Sequence, residues 1–126
     1  RMSPEILEEG RQFLKMNGKL VFKHAVTCMS EAIGELLEEN RLTTKELDLV
    51  IMHQANLRIC SMIQEKLMLK DEQVFSNVQR YGNTTSASVP IAIYEAIEQK
   101  KIKNGDKVAL AAFGAGFTWG SSFIQF

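Results

Sequence analysis

The chain has 126 residues, 45% hydrophobic and 24% charged, the proportions of one globular domain large enough to bury a core. Lys plus Arg and Asp plus Glu stand at 15 each, so no global basic field argues for nucleic acid. Two cysteines are not a disulfide framework and point to a reducing, cytoplasmic setting, and no run of about 18 apolar residues suggests a membrane span.

The opening, Arg1-Met2-Ser3-Pro4-Glu5, lacks the apolar stretch of a signal peptide. Arg ahead of Met is unusual for a natural start, and the chain reads as an excerpt of something longer. Ser3-Pro4-Glu5 suits the start of a short helix; Phe13-Leu14-Lys15-Met16 follows, and Asn17-Gly18 reads as a turn. From Leu20 to Asn40, apolar Phe22, Val26, Met29, Ile33, Leu36 and Leu37 recur at intervals of three and four, predicting an amphipathic helix. Thr43-Thr44-Lys45-Glu46 resembles a cap for one short turn. Leu47 to Met52 is nearly continuous apolar sequence, the pattern of a buried parallel strand. A second helix follows with Ile59, Cys60, Ile63 and Leu67 inward, then a short strand over Val74–Val78. A third helix, about Thr84 to Gln99, carries Val89, Ile91, Ile93 and Ile97 with small residues between them and little polar face, which predicts burial on all sides beneath a further layer. Lys107 to Phe113 reads as a strand, Gly114-Ala115-Gly116 as a tight connection, and Phe117 to Phe126 as a last, antiparallel strand. Such alternation predicts a layered α/β fold with a largely parallel sheet.

Two polar side chains fall where such a fold opens a ligand crevice. His53 ends the first strand, and Asn83 sits in the turn Tyr81-Gly82-Asn83-Thr84. Each can donate an N–H to a developing negative charge, which suggests chemistry through an oxyanion or enolate. Asn56 lies one helical turn beyond His53, where it can face the crevice or cap the helix. The Gly114–Gly120 pattern is no dinucleotide fingerprint, because its third glycine is misplaced and a strand follows. It reads as a hairpin, or as a source of a backbone N–H near Ala115. Lys23, Arg58 and Lys66 can form a basic patch or simply a solvated face. Cys28 and Cys60 read as buried thiols. His24 and Cys28 have helical spacing but lack the further ligands of a metal site, so no metal is expected.

Four stretches then become specific in order: Val21-Phe22-Lys23, His53-Gln54-Ala55-Asn56-Leu57-Arg58-Ile59, Gly82-Asn83-Thr84-Thr85-Ser86-Ala87-Ser88-Val89-Pro90 and Phe113-Gly114-Ala115-Gly116-Phe117-Thr118-Trp119-Gly120. Over residues 13 to 126 they resemble the C-terminal half of β-ketoacyl-acyl-carrier-protein synthase III, a thiolase-fold condensing enzyme. The resemblance implies one half of a thiolase-like layered fold, a mixed, mostly parallel sheet with helices on both faces. It also implies an N-terminal half, absent here, that holds a nucleophilic cysteine. The implied reaction condenses an acyl-CoA primer with malonyl-acyl-carrier protein to initiate fatty-acid synthesis, with CoA and phosphopantetheine thioesters as substrates and no cofactor. His53 and Asn83 then correspond to the catalytic His and Asn. Asn56 corresponds to a pantetheine contact, Gln54, Ala55, Asn56, Leu57 and Arg58 with Lys23 to the carrier-protein and CoA-binding stretch, and Ala115 to an oxyanion backbone donor. The implied partners are acyl-carrier protein, acyl-CoA, the N-terminal half and a second subunit in a homodimer. The alternative is a non-catalytic thiolase-like module that binds acyl-carrier protein or CoA.

Overall fold

A computed structural model of the chain describes residues 3–13 and 15–126. Arg1, Met2 and Leu14, which entered the reading of the opening segment, lie outside the described residues. Helix α1 (Pro4–Glu8) opens with Pro4 in its first turn, where a missing N–H costs least. Asn17-Gly18 does not form the expected turn. Asn17 is the N-cap of α2 (Gly18–Glu39), its side chain accepting the Leu20 N–H at 3.2 Å, a role asparagine fills as readily as a turn. The inward face of α2 includes Ala25, Met29, Ile33 and Leu37, spaced by four. Glu46 accepts from the Thr43 N–H (2.8 Å) and hydroxyl (2.9 Å), closing the short turn expected there. Then follow β1 (Leu49–Met52), α3 (Leu57–Lys66), β2 (Val74–Phe75), α4 (Val78–Tyr81), α5 (Ser88–Glu98), β3 (Lys107–Gly114) and β4 (Thr118–Gln125).

The strands form one sheet in the order β2-β1-β3-β4, with β1 parallel to both neighbours and β4 antiparallel to β3. Val50 stands opposite Val74 on one side and Ala109 on the other. The two-residue period splits β1 between two cores. Val50 and Met52 pack with α2 and α3, whereas Leu49 and Ile51 pack with Ala92 and Ala96 of α5. All four residues of β1 are buried, as befits a parallel strand covered on both faces. Among the described residues no helix is long and apolar enough to cross a membrane.

Two further expectations need correction. The strand expected over Val74–Val78 stops at Phe75, because the side chain of Gln54 captures the next backbone N–H groups and turns the chain into α4. The third helix starts at Ser88 rather than Thr84, since Thr85 has left-handed backbone (φ 52) and the stretch Thr85–Ala87 is only a 3₁₀ turn. Within this chain that helix is covered on one side. It seats Ser88, Ala92 and Ala96 inward and leaves Tyr94 66% and Ile97 44% exposed.

Helices α2, α3 and α5 end alike. The residue after each C-cap (Arg41, Met68 and Lys100) is left-handed, with φ of 55, 52 and 58. The following N–H returns to the last helical turn: Leu42 to the Leu37 carbonyl at 2.8 Å, Leu69 to Gln64 at 3.0 Å, Lys101 to Ala96 at 2.8 Å. Glycine usually occupies this position because it lacks a Cβ to clash. Met68 is 87% exposed, so its side chain holds nothing in place. Met68→Gly should therefore stabilise the protein by about 0.75 kcal/mol, a mid-range left-handed cost of about 1.5 kcal/mol less about 0.75 kcal/mol of glycine's extra chain entropy. Urea midpoints of the two proteins measure this, and an unchanged or lower midpoint contradicts it.

Candidate active site

A groove of about 1840 Å³ lies at the carboxyl ends of β1 and β3, and His53, Asn83, Asn56 and Ala115 all line it. Sheets of this kind bind ligands at this end because the loops leaving the strands diverge there. His53 follows β1 directly, and its own N–H still belongs to the ladder, donating to the Ala111 carbonyl at 2.8 Å. Its backbone is thus held as firmly as a strand residue. Its ring is half-buried, and that burial lowers its pKa below the usual 6.5, which keeps it neutral at neutral pH.

Ser88, at the start of α5, holds the ring. Its hydroxyl oxygen is 2.5 Å from His53 Nδ1 and accepts the Gln54 N–H at 3.3 Å. A buried hydroxyl needs an acceptor for its proton, and Nδ1 is the one within reach. The ring proton is thereby assigned to Nε2, the nitrogen left for the groove, so His53 presents a donor there. Ser88 had read only as one more small residue of an apolar helix. The clue was its spacing by four from Ala92 and Ala96, which puts a hydroxyl on the stripe that meets the sheet.

Asn83 is reached through α4 and Gly82, whose φ of 67 makes the left-handed step out of the helix. Its Oδ1 accepts the Thr85 N–H at 2.9 Å, which leaves Nδ2 as the free end of the amide. Thr85 is β-branched and left-handed, a costly combination that surrounding structure must hold in place.

At the mouth, β3 and β4 pair as far as Gly114 and Thr118, leaving Ala115, Gly116 and Phe117 as the connection. Gly116 has φ 148, and a Cβ there would lie 3.0 Å from the Thr118 nitrogen, so the connection requires glycine. Phe113 packs on Phe117 and Trp119, with ring centroids 4.9 and 6.5 Å apart, and His24 lies 5.3 Å from Phe117. Phe113, Phe117 and Trp119 form an aromatic wall of the groove, from positions that read in the sequence only as strand residues.

The stretch after His53 divides. Ala55, Asn56 and Arg58 line the groove, and Asn56 also caps α3, its Oδ1 accepting the Arg58 N–H at 2.9 Å. Leu57 and Arg58 are exposed and border a second, smaller depression of about 330 Å³ together with Phe22 and Met62. The Arg58 guanidinium lies 5.7 Å from the Phe22 ring centre. Lys23 is exposed on α2 and does not line the groove. Gln54 departs from its expected binding role. It is 1% exposed and its amide is spent on the protein itself, so it has no surface to offer a ligand. Both cysteines are buried, and burial pushes the Cys60 thiol up to about 11.

A family model described as 3-oxoacyl-(acyl-carrier-protein) synthase III C terminal matches residues 37–126. β-Ketoacyl-(acyl-carrier-protein) synthase III of Roseiflexus castenholzii is 47% identical over 123 residues, which are 98% of this chain and 37% of that protein. The crystal structure of 3-oxoacyl-(acyl-carrier-protein) synthase III from Aquifex aeolicus superposes with a TM-score of 0.88 at 45% identity, covering 90% of this chain and 37% of that one. The Thermus thermophilus β-ketoacyl-(acyl-carrier-protein) synthase III structure gives 0.87 at 46% identity, covering 89% and 35%. The chain thus spans little more than a third of the length of the curated relatives it matches. It belongs to the β-ketoacyl-(acyl-carrier-protein) synthase III family and has that family's thiolase-like layered fold over the C-terminal portion.

Proposed function

We propose that this chain supplies the decarboxylating and carrier-docking part of a condensing acyltransferase. Its reaction joins an acyl primer, delivered by acyl-CoA, to malonyl-acyl-carrier protein. The observation that carries this reading is that His53, whose Nδ1 is engaged by Ser88, and Asn83, whose Oδ1 accepts from Thr85, line one groove at the end of the sheet. Malonyl decarboxylation releases carbon dioxide and leaves an electron pair on the thioester enolate. Two N–H donors aimed at the enolate oxygen stabilise it without needing a proton transfer, and a backbone N–H near Ala115 is a third candidate donor. The enolate carbon then attacks the carbonyl of an acyl-cysteine thioester, and the cysteine thiolate leaves. Cys28 and Cys60 are buried, so this reading takes the nucleophile from elsewhere in the protein. Asn56 at the groove rim suits the amide-rich pantetheine arm. Exposed Lys23 and Arg58 suit an acidic carrier protein. The second reading, a binding module without catalysis, draws on those same two buried cysteines. It predicts carrier or CoA binding without decarboxylation.

In the intact protein His53→Ala should lower malonyl decarboxylation by about 10²–10³, the usual loss for one such donor, while acyl loading of the cysteine continues. Decarboxylation at the parent rate would remove His53 from the mechanism. Arg58→Glu should weaken use of malonyl-carrier protein far more than use of acyl-CoA, and the difference should shrink as salt is raised. Equal losses with both substrates would leave no docking role for Arg58.

The neutral state of His53 has a consequence for stability. The folded chain binds this proton less tightly than the unfolded one, because burial lowers the folded pKa below 6.5. Well above pH 6.5 neither state carries the proton and the residue adds no pH dependence. As the pH falls from there through the lowered folded value, unfolding takes up the proton and stability declines. His53→Gln should lack this part of the acid loss, as read from urea midpoints on both sides of pH 6.5. Parallel pH profiles for the two proteins would contradict it.

A further inference from the structure

We propose that Gln54 is a positioning residue that fixes the Asn83 loop relative to His53; the catalytic meaning of this rests on the reading above, the mechanical link does not. Gln54 is the residue after His53 and is 1% exposed. Its Nε2 donates to the Met52 carbonyl at 2.6 Å, which folds the side chain back on the end of its own strand. Its Oε1 then accepts from three groups of a distant segment: the Ser76 hydroxyl at 2.8 Å, the Asn77 N–H at 2.9 Å and the Val78 N–H at 3.2 Å. These two N–H groups are at the start of α4, where a helix has donors without partners of its own. Asn77, at the N-cap position, offers no side-chain cap. Gln54 therefore caps α4 from another segment.

The position of that cap matters because α4 is only four residues long and runs through Gly82 straight into Asn83. A displacement at Asn77 is carried to Asn83 with no strand between to absorb it. The far side of the same segment is held by Glu95 of α5, which accepts from Asn77 Nδ2 at 2.8 Å and pairs with Arg80. Helix α5 also carries Ser88, bound to His53. His53, Gln54, α4, Glu95 and Ser88 thus close a ring of contacts, and Asn83 hangs from it. An amide is needed at position 54, since its two ends face opposite partners. A carboxylate would keep the acceptor for α4 but set an oxygen against the Met52 carbonyl.

The test uses the intact protein with Gln54→Leu, Asn83→Ala and the double variant. The first readout is amide hydrogen exchange. Gln54→Leu should speed exchange across residues 76–83 while Val50–Met52 keep the parent rate. The second is the turnover number for malonyl decarboxylation. Gln54→Leu should lower it between about 10- and 100-fold, as misplacing a reacting group by an ångström does. The same substitution should cost far less in the Asn83→Ala background, because a residue acting through Asn83 has nothing left to position. Losses that multiply in the double variant, or unchanged exchange over 76–83, would overturn the proposal. If Asn83→Ala leaves decarboxylation unchanged, the functional reading fails, and the exchange experiment alone decides whether Gln54 holds the loop. Where Gln54→Leu does not fold, Gln54→Met, of similar length and without the acceptor for α4 or the donor to Met52, replaces it in both measurements, with the same outcomes expected.

Discussion

The groove depends on strand β1, the most enclosed segment around it. Its four residues are buried on both faces, between α2 and α3 on one side and α5 on the other, and it is paired along both edges. The pairing runs one residue past the strand, so that the His53 N–H is still bound to Ala111. Strand residues of this kind are among the last to open in a folded protein. A side chain placed immediately after such a strand inherits its rigidity, which is what a donor needs when it must already be in place as charge develops.

The other groove residues are attached to β1 by different physical means. Ala115 comes on the connection from β3, fixed by the antiparallel register and by the conformation only Gly116 can take. Asn83 comes on a loop with a strained threonine and no strand beneath it, and side-chain hydrogen bonds do for it what the sheet does for His53. The site thus combines a rigid half and a tethered half. The tethered half is the one that buried polar groups must keep in register, because each unmade bond there costs about 1–3 kcal/mol of desolvation.

Much of this was legible in the chain, and what was not has a common cause. Strand β1, the long helix α2 and the β3–β4 hairpin follow from local periodicity, and His53 follows from standing at the end of an apolar run. The end of β2 could not be read, because nothing in Val74–Val78 itself stops the strand. It is stopped by an amide that lies 22 to 24 residues earlier in the chain. For the same reason Gln54, a polar residue in a polar motif, looked like part of a binding surface when its work is internal. Asn17 read as a turn, but its side chain caps α2 instead. Ser88 was hidden by its apolar neighbours, although its spacing marked it.

The stripe Ser88, Ala92, Ala96 has a further consequence. Alanine methyls set how closely α5 lies on the sheet, and the same closeness brings the Ser88 hydroxyl to the imidazole. At about 1.5 Å of rise per residue, the two alanines sit roughly 6 and 12 Å along the axis from Ser88. One added methyl group at either position would tilt the helix like a wedge under a lever, with the hydroxyl at its tip. Evolution could retune the histidine from there, in positions no ligand ever touches, and a comparison confined to groove-lining residues would never see the change.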